Sequence, residues 1–192
     1  MLFRSRYFIA DDPSAAVVDA MAATFMRTDG NIAEVLRAMF TSPNAVISAS
    51  ASTGKFKDPM QFIVSSLRLA YDGKVISNYR PIVGWLTQLG EPPYGHVTPE
   101  GYGSAETAWA SPGQLVKRFE IARAIGAGSA GPFNTEDNRP GPSVGFPMLN
   151  NRLFYEAIEP TLGGRTREAL AQAASQAEWN TLLLASPEWM QR

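Results

Sequence analysis

The residues best suited to chemistry lie in one segment, 90–110, which holds four Gly, three Pro, two Tyr, one Trp and the only His of the chain. Aromatic faces beside Gly and Pro turns can stack against the apolar faces of sugar rings, while polar neighbours supply hydrogen bonds. The same rings can instead be buried and anchor a long loop to the helices. The pattern therefore predicts a ligand surface or an anchored loop, and the candidate ligand-binding residues are Trp85, Tyr94, His96, Glu100, Tyr102 and Trp109.

Acid–base catalysis in this segment would depend on His96 and two carboxylates. As a general base, His96 needs an orienting partner, which Glu100 or Glu106 could supply. The two carboxylates could also form the pair used in glycoside hydrolysis, where their separation decides the mechanism. Because sequence spacing within a loop does not define that separation, we assign no catalytic residue. We interpret the chain by itself as noncatalytic.

Motifs for metals and cofactors are incomplete. The chain has no Cys, which excludes thiolate catalysis and Cys-based zinc sites. A zinc site on the single His would need carboxylates for its other protein ligands, which is rare. Residues 126–131 match G-x-G-x-x-G, but that motif requires a preceding strand, and here a predicted helix precedes it. The nucleophile elbow suggested by Ser129 lacks the same strand and one Gly. We expect no cofactor and no metal.

Composition indicates a folded protein and excludes several partners. Of 192 residues, 45% are hydrophobic and 18% are charged, which is sufficient for a substantial core. The net charge is −1 and no segment clusters Lys and Arg, so we expect no nucleic acid partner. No window approaches the roughly 20 apolar residues of a membrane span, and the first ten residues lack the apolar run of a secretory signal. Localisation is left open.

Three pairs of a capping residue and a proline predict helix starts, at Asp12–Pro13, Asp58–Pro59 and Ser111–Pro112. Apolar residues at helical spacing follow each pair. The predicted buried faces are Val17, Val18, Met21 and Phe25; Met60, Ile63, Val64, Leu67 and Tyr71; and Leu115, Phe119, Ala122 and Ile125.

Similar spacing predicts five further helices, over residues 32–40, 82–89, 149–158, 165–174 and 178–184. Alternation of period two is nearly absent. The sequence therefore predicts an all-α fold, an irregular bundle of about eight helices forming a single unit over residues 1–192. Two long Gly/Pro-rich loops interrupt it, 90–110 and 126–147, and the second is a possible soft domain boundary.

Several segments resemble the bacterial family known as domain of unknown function 1800. They are FIADDP (8–13), LRAMFTSP (36–43), KDPMQFIVSSLR (57–68), LGEPPYG (89–95), PEGY (99–102), WASP (109–112) and residues 179–190. Their order and spacing match the family over nearly the whole chain. The resemblance implies the carboxy-terminal part of a longer and often exported protein, so an amino-terminal region of the parent protein is an expected partner. The family brings no established activity.

The sequence is consistent with two functions. The preferred one is a noncatalytic binding or interaction module, associated with a polysaccharide, the cell envelope or a partner protein. The alternative is part of a hydrolase whose other catalytic groups lie outside this chain. A third possibility is a fragment with no function of its own, whose uncovered apolar face would cause self-association.

Overall fold

The computed structural model describes residues 2–43, 55–128, 131–135, 137, 139–141 and 145–192. The predicted all-α class is confirmed, because these residues form helices and, apart from one isolated bridge between Phe56 and Gln191, no strand. The α-helices are α1 (Leu2–Phe8), α2 (Ala15–Arg27), α3 (Ile32–Thr41), α4 (Pro59–Tyr71), α5 (Arg80–Gln88), α6 (Pro112–Gly126), α7 (Gly164–Ala171) and α8 (Gln176–Leu184).

The chain divides into two compact units, residues 1–55 and 56–192. The first unit contains α1 to α3 and has its own small core of Ile9, Val17, Met21, Val35 and Met39. An ion pair between Lys55 and Asp11 joins the end of this unit to the segment between α1 and α2. Segment 126–147, the predicted soft boundary, lies inside the second unit. That the two units act as one stays a prediction.

The second unit surrounds a larger core to which α4, α5, α6 and α8 all contribute. The most extensive helix pairing among the described residues is between α6 and α8, where Gly126 permits a tight approach. A Cβ at this glycine would lie 3.0 Å from both the Asn180 Cβ and the Thr181 backbone nitrogen. Gly126 thus serves helix packing, which explains the first position of the G-x-G-x-x-G match. Residues 129 and 130 of that match, including Ser129, lie outside the described residues.

Two of the three predicted caps are confirmed. The Asp58 carboxylate accepts a hydrogen bond from the Gln61 N–H at 2.7 Å, and Ser111 forms a reciprocal capping box with Gln114. The prediction for Asp12 was wrong, because α2 begins only at Ala15 and its N-cap residue is Ser14, without a side-chain hydrogen bond.

Some predicted buried faces differ from the observed ones. On α6, Leu115 and Phe119 are exposed by 42% and 46%, and the buried face consists of Arg118, Ile121, Ala122, Ile125 and Gly126. Helix α6 is therefore rotated from the predicted orientation so that a charged residue enters the core. This rotation places Arg118 close to Glu91, at the start of loop 90–110.

The predicted helix over 149–158 is shorter than expected. Leu149 is fully buried in an irregular segment, and the Asn151 side chain accepts a hydrogen bond from the Phe154 N–H at 3.2 Å. This bond caps the helical turn that leads into a π-helix, Phe154–Ile158. Short 3₁₀ turns occur at Glu106–Ala108, Gly131–Phe133 and Glu159–Thr161.

Candidate functional site

Loop 90–110 joins α5 to α6 and is held in place by two aromatic side chains. Trp109 is 5% exposed and belongs to the main core, and its indole N–H donates to the Gly103 carbonyl at 2.7 Å. Tyr102 packs against the same core, and its hydroxyl donates to the Pro92 carbonyl at 2.7 Å. These two bonds tie the loop to itself near both ends, so the aromatic residues define its conformation.

The rings continue from the core toward the surface. The centroids of Trp109 and Tyr102 lie 6.0 Å apart, and those of Tyr102 and His96 lie 4.8 Å apart with nearly perpendicular planes. Edge-to-face contacts of this kind are favourable beyond the area that they bury. The exposed imidazole of His96 is therefore supported from below by a series of packed rings.

The tip of the loop, residues 94–97, projects apolar groups into water. The Tyr94 side chain is entirely exposed, and Val97 is 96% exposed. Tyr94 also has a φ of +59°, in the left-handed region that costs a bulky residue about 1 kcal/mol or more. A strained backbone conformation of this kind persists only where the surrounding contacts fix it. At the adjacent Gly95, a Cβ would lie 2.6 Å from the Pro92 Cγ and 3.1 Å from the Tyr102 hydroxyl, which shows how tightly the turn is packed.

Polar groups beside the tip form one local hydrogen-bonded group. The Nδ1 of His96 lies 3.3 Å from the Thr98 backbone nitrogen and 3.2 Å from its hydroxyl oxygen. Hydrogen bonds from the Glu100 backbone N–H and from Thr98 hold the pKa of the exposed Glu100 carboxyl below its usual range, and the nearby His96 lowers it further. Glu100 is therefore an anion and a hydrogen-bond acceptor at neutral pH.

The predicted ligand-binding residues thus separate into two groups. Tyr94, His96 and Glu100 lie together on the exposed side of the loop. Trp85, Tyr102 and Trp109 pack in or against the core, and Tyr102 also contacts the ring of His96. Glu106 lies in the exposed 3₁₀ turn, where its carbonyl accepts hydrogen bonds from the backbone N–H groups of Trp109 and Ala110.

A charged cluster lies where the loop begins, and we call Lys57, Asp58, Glu91 and Arg118 the root of the loop. The Glu91 carboxylate accepts a hydrogen bond from the Met60 N–H at 2.8 Å, so it attaches the loop to the first turn of α4, beside the capping Asp58. Burial raises the pKa of Glu91, and the neighbouring carboxylate of Asp58 raises it further.

Arg118 of α6 is completely buried in the root. Its Nη2 donates to the Lys57 carbonyl at 2.7 Å, and its guanidinium carbon lies 4.7 Å and 5.0 Å from the ring centroids of Phe56 and Phe62. Its Nε atom is also buried, and no described residue provides it with a hydrogen-bond partner. Burial lowers the pKa of Arg118 to about 10, although Asp58 and Glu91 oppose this shift. The guanidinium remains charged at neutral pH, inside an aromatic enclosure.

Lys57 is the second buried cation of the root, with 8% of its surface exposed. Its Nζ lies 3.7 Å from the centroid of the Trp189 ring, whose indole N–H donates to the Ser66 hydroxyl at 3.0 Å. Burial, with a smaller contribution from Arg118, lowers the pKa of Lys57 to about 7. A lysine that titrates near neutrality is a feature of functional and structural charge clusters alike.

Sequence reasoning missed this root. Asp58 was identified only as a cap, and Lys57, Glu91 and Arg118 were not singled out. One signal was present, since Arg118 precedes Ile121, Ala122 and Ile125 by three, four and seven residues and so shares their helical face. Charged residue types are almost never fully buried without partners, which is why the pattern of apolar residues alone gives the wrong face.

Neither a metal-binding cluster nor a helix able to span a membrane occurs in the described part of the chain. No group of three or more acidic or histidine side chains there is arranged to hold a metal ion. None of the helices in these ranges has the length and apolar character needed to cross a bilayer.

Comparison with known proteins provides a family and no further relatives. No curated protein and no solved structure matches the chain. One family model matches residues 5–191, nearly the full length, and is described as a protein of unknown function, DUF1800. The match spans both structural units, the aromatic loop and its root. The chain therefore belongs to the DUF1800 family.

Proposed function

We propose that this chain is a noncatalytic binding module of a bacterial envelope-associated protein, and that the tip of loop 90–110 contacts a carbohydrate. The observation that carries the proposal is Tyr94, an aromatic ring fully exposed to water on a backbone of positive φ. A chain gains no stability from such a residue, because none of the described residues covers the ring and the backbone conformation is unfavourable.

The chemistry beside the ring fits a sugar. An exposed tyrosine face can cover the apolar face of a pyranose, and His96, Thr98 and Glu100 offer donors and acceptors within the same turn. Because Tyr102 and Trp109 fix the loop beforehand, ligand binding would order few additional groups. Pre-organised sites lose less conformational entropy on binding.

The hydrolase alternative receives less support from this loop. Glycoside hydrolysis needs one carboxylic acid that is protonated near neutral pH, and such acids have raised pKa values. The pKa of Glu100 is instead lowered, and its carboxyl group is fully exposed. Glu100 alone is therefore suited to binding and poorly suited to the role of general acid.

Titration calorimetry with cello-, chito- and xylo-oligosaccharides tests the proposal. We expect one class to bind, and Tyr94→Ala to weaken that binding by about tenfold, since ring contacts contribute on the order of 1 kcal/mol. Tyr79→Ala is the matched control, because Tyr79 is 58% exposed and lies outside the loop. Equal losses in the two variants, or no binding to any class, would overturn the proposal. Hydrolysis of the oligosaccharide that falls in Glu100→Gln or Glu106→Gln would support the enzyme alternative instead.

A further inference from the structure

An open cavity of about 270 Å³ lies between α4, α5 and the 3₁₀ turn Gly131–Phe133. Its apolar lining comes from side chains on all three elements and on the segment that links α4 to α5. These are Val64, Leu67, Tyr71, Ile76, Ile82 and Phe133. The cavity belongs entirely to the second unit and is lined by none of the loop or root residues.

Ring contacts and hydrogen bonds fix the residues on one side of the cavity. The rings of Tyr71 and Phe133 meet edge to face with centroids 4.7 Å apart, and the Tyr71 hydroxyl donates to the Ile125 carbonyl at 3.3 Å. The Pro132 carbonyl accepts hydrogen bonds from the backbone N–H groups of both Ser77 and Asn78, each at 3.0 Å. These bonds hold the linking segment against the 3₁₀ turn, so the cavity is a preformed feature of the fold.

Among the described residues, the charged side chains that line this cavity are two exposed cations, Arg68 and Lys74, and none is a carboxylate. Neither takes part in any ion pair found in the described ranges. Arg68 also borders a shallow neighbouring cleft that contains Asp72 and Glu156, yet neither acid lies within ion-pair distance of it. The mouth of an apolar cavity is therefore positively charged.

The geometry points to a second binding site, for a single-chain aliphatic carboxylate whose tail enters the cavity and whose carboxylate meets Arg68 and Lys74. The volume of the cavity indicates how long a tail it can bury. At about 30 Å³ for each liquid water molecule, 270 Å³ corresponds to roughly nine water molecules. An eight-carbon carboxylate has a comparable volume. Arg68 can hold a carboxylate through two parallel N–H donors, and Lys74 adds a mobile point charge.

This site is independent of the proposed carbohydrate surface, because it shares no residue with loop 90–110. Its ligand is recognised by apolar burial together with charge. An uncharged molecule with the same tail should therefore bind distinctly more weakly than the acid.

Titration calorimetry with octanoate, and with octan-1-ol as the uncharged probe, tests this assignment. We expect octanoate to bind at least tenfold more tightly than octan-1-ol, and the Arg68→Gln/Lys74→Gln double variant to remove that difference. Arg123→Gln is the matched control, since it removes an exposed helical cation away from the cavity. It should leave octanoate affinity unchanged.

A second variant tests the cavity itself. Ile76 is 42% exposed at the lining, so Ile76→Glu should fold normally and repel the carboxylate, weakening octanoate binding by at least tenfold. Circular dichroism verifies the fold of each variant. The assignment is overturned if octanoate does not bind, if octan-1-ol binds equally well, or if the double variant retains full affinity for octanoate.

Discussion

At the tip of loop 90–110 the apolar side chains of Tyr94 and Val97 lie in water, whereas at its root the charged side chains of Lys57 and Arg118 lie among aromatic rings. Each arrangement is unfavourable by itself. The two regions differ in the contacts that stabilise them. The root is stabilised by contacts that the folded chain provides, such as the bond from Arg118 to the Lys57 carbonyl. The exposed ring of Tyr94 has no such contact, which is why we assign binding to the tip and structural support to the root.

The largest loss of stability is expected when Arg118 of the root is replaced. Arg118→Ala should destabilise the fold by roughly 3–5 kcal/mol, because it leaves a void between Phe56 and Phe62 and removes the hydrogen bond to the Lys57 carbonyl. Chemical denaturation measures the change. Arg123→Ala on the same helix is the control and should cost less than about 1 kcal/mol, since Arg123 is exposed. Equal costs would show that the root does not support the fold.

The buried charge of Lys57 should make the stability of the protein depend on pH. The folded-state pKa of about 7 lies below the ordinary value of 10.5, so between these values the unfolded chain binds more protons than the folded one. The contribution of Lys57 to the free energy of unfolding should therefore rise between pH 7 and about 10, and be lowest below pH 7.

Replacement by an uncharged side chain should remove that rise. Lys57→Met should stabilise the protein by roughly 1–4 kcal/mol at pH 6, and the difference from the wild type should shrink as the pH approaches 10. Thermal melts at pH 6, 8 and 9.5 measure it. A destabilised Lys57→Met variant at pH 6 would mean that the ammonium contact with Trp189 outweighs the cost of burying the charge.

A smaller effect is expected at the tip. Gly95→Ala should cost about 1–3 kcal/mol, because the added Cβ would lie 2.6 Å from the Pro92 Cγ and 3.1 Å from the Pro92 carbonyl oxygen. Denaturation, together with the oligosaccharide titration, measures stability and binding in one variant. Gly113→Ala is the control, since no described atom outside the adjacent residues and the backbone of α6 lies within 4 Å of its Cβ position. If Gly95→Ala costs no more than this control, the tip is not the rigid surface that the binding proposal requires.

Local signals predicted much of this fold because they act over few residues. The caps at Asp58 and Ser111 depend on a side chain and an N–H three residues later, so their spacing identifies α4 and α6. The sequence also singled out the aromatic residues of loop 90–110. It could not separate exposed Tyr94 from buried Trp109, because both lie beside Gly or Pro turns and only tertiary packing distinguishes them.

The root and the cavity between α4 and α5 could be recognised only in the structure. Lys57, Glu91 and Arg118 come from three distant segments, and residue type argues against the burial of each one. One wall of this open cavity is fixed by the hydrogen bonds that the Pro132 carbonyl accepts from Ser77 and Asn78, contacts between segments more than 50 residues apart. Such long-range pairings leave no periodic pattern in a single sequence.

The positive φ of Tyr94 also has an evolutionary consequence. Glycine and asparagine adopt this conformation with less strain. Because none of the described residues covers the Tyr94 ring, a substitution to either residue should cost the protein little stability. In a lineage selected for stability alone, position 94 should therefore lose its aromatic residue quickly. Lineages that retain tyrosine or another aromatic there would be those in which the surface of the loop is still under selection for contact with a ligand.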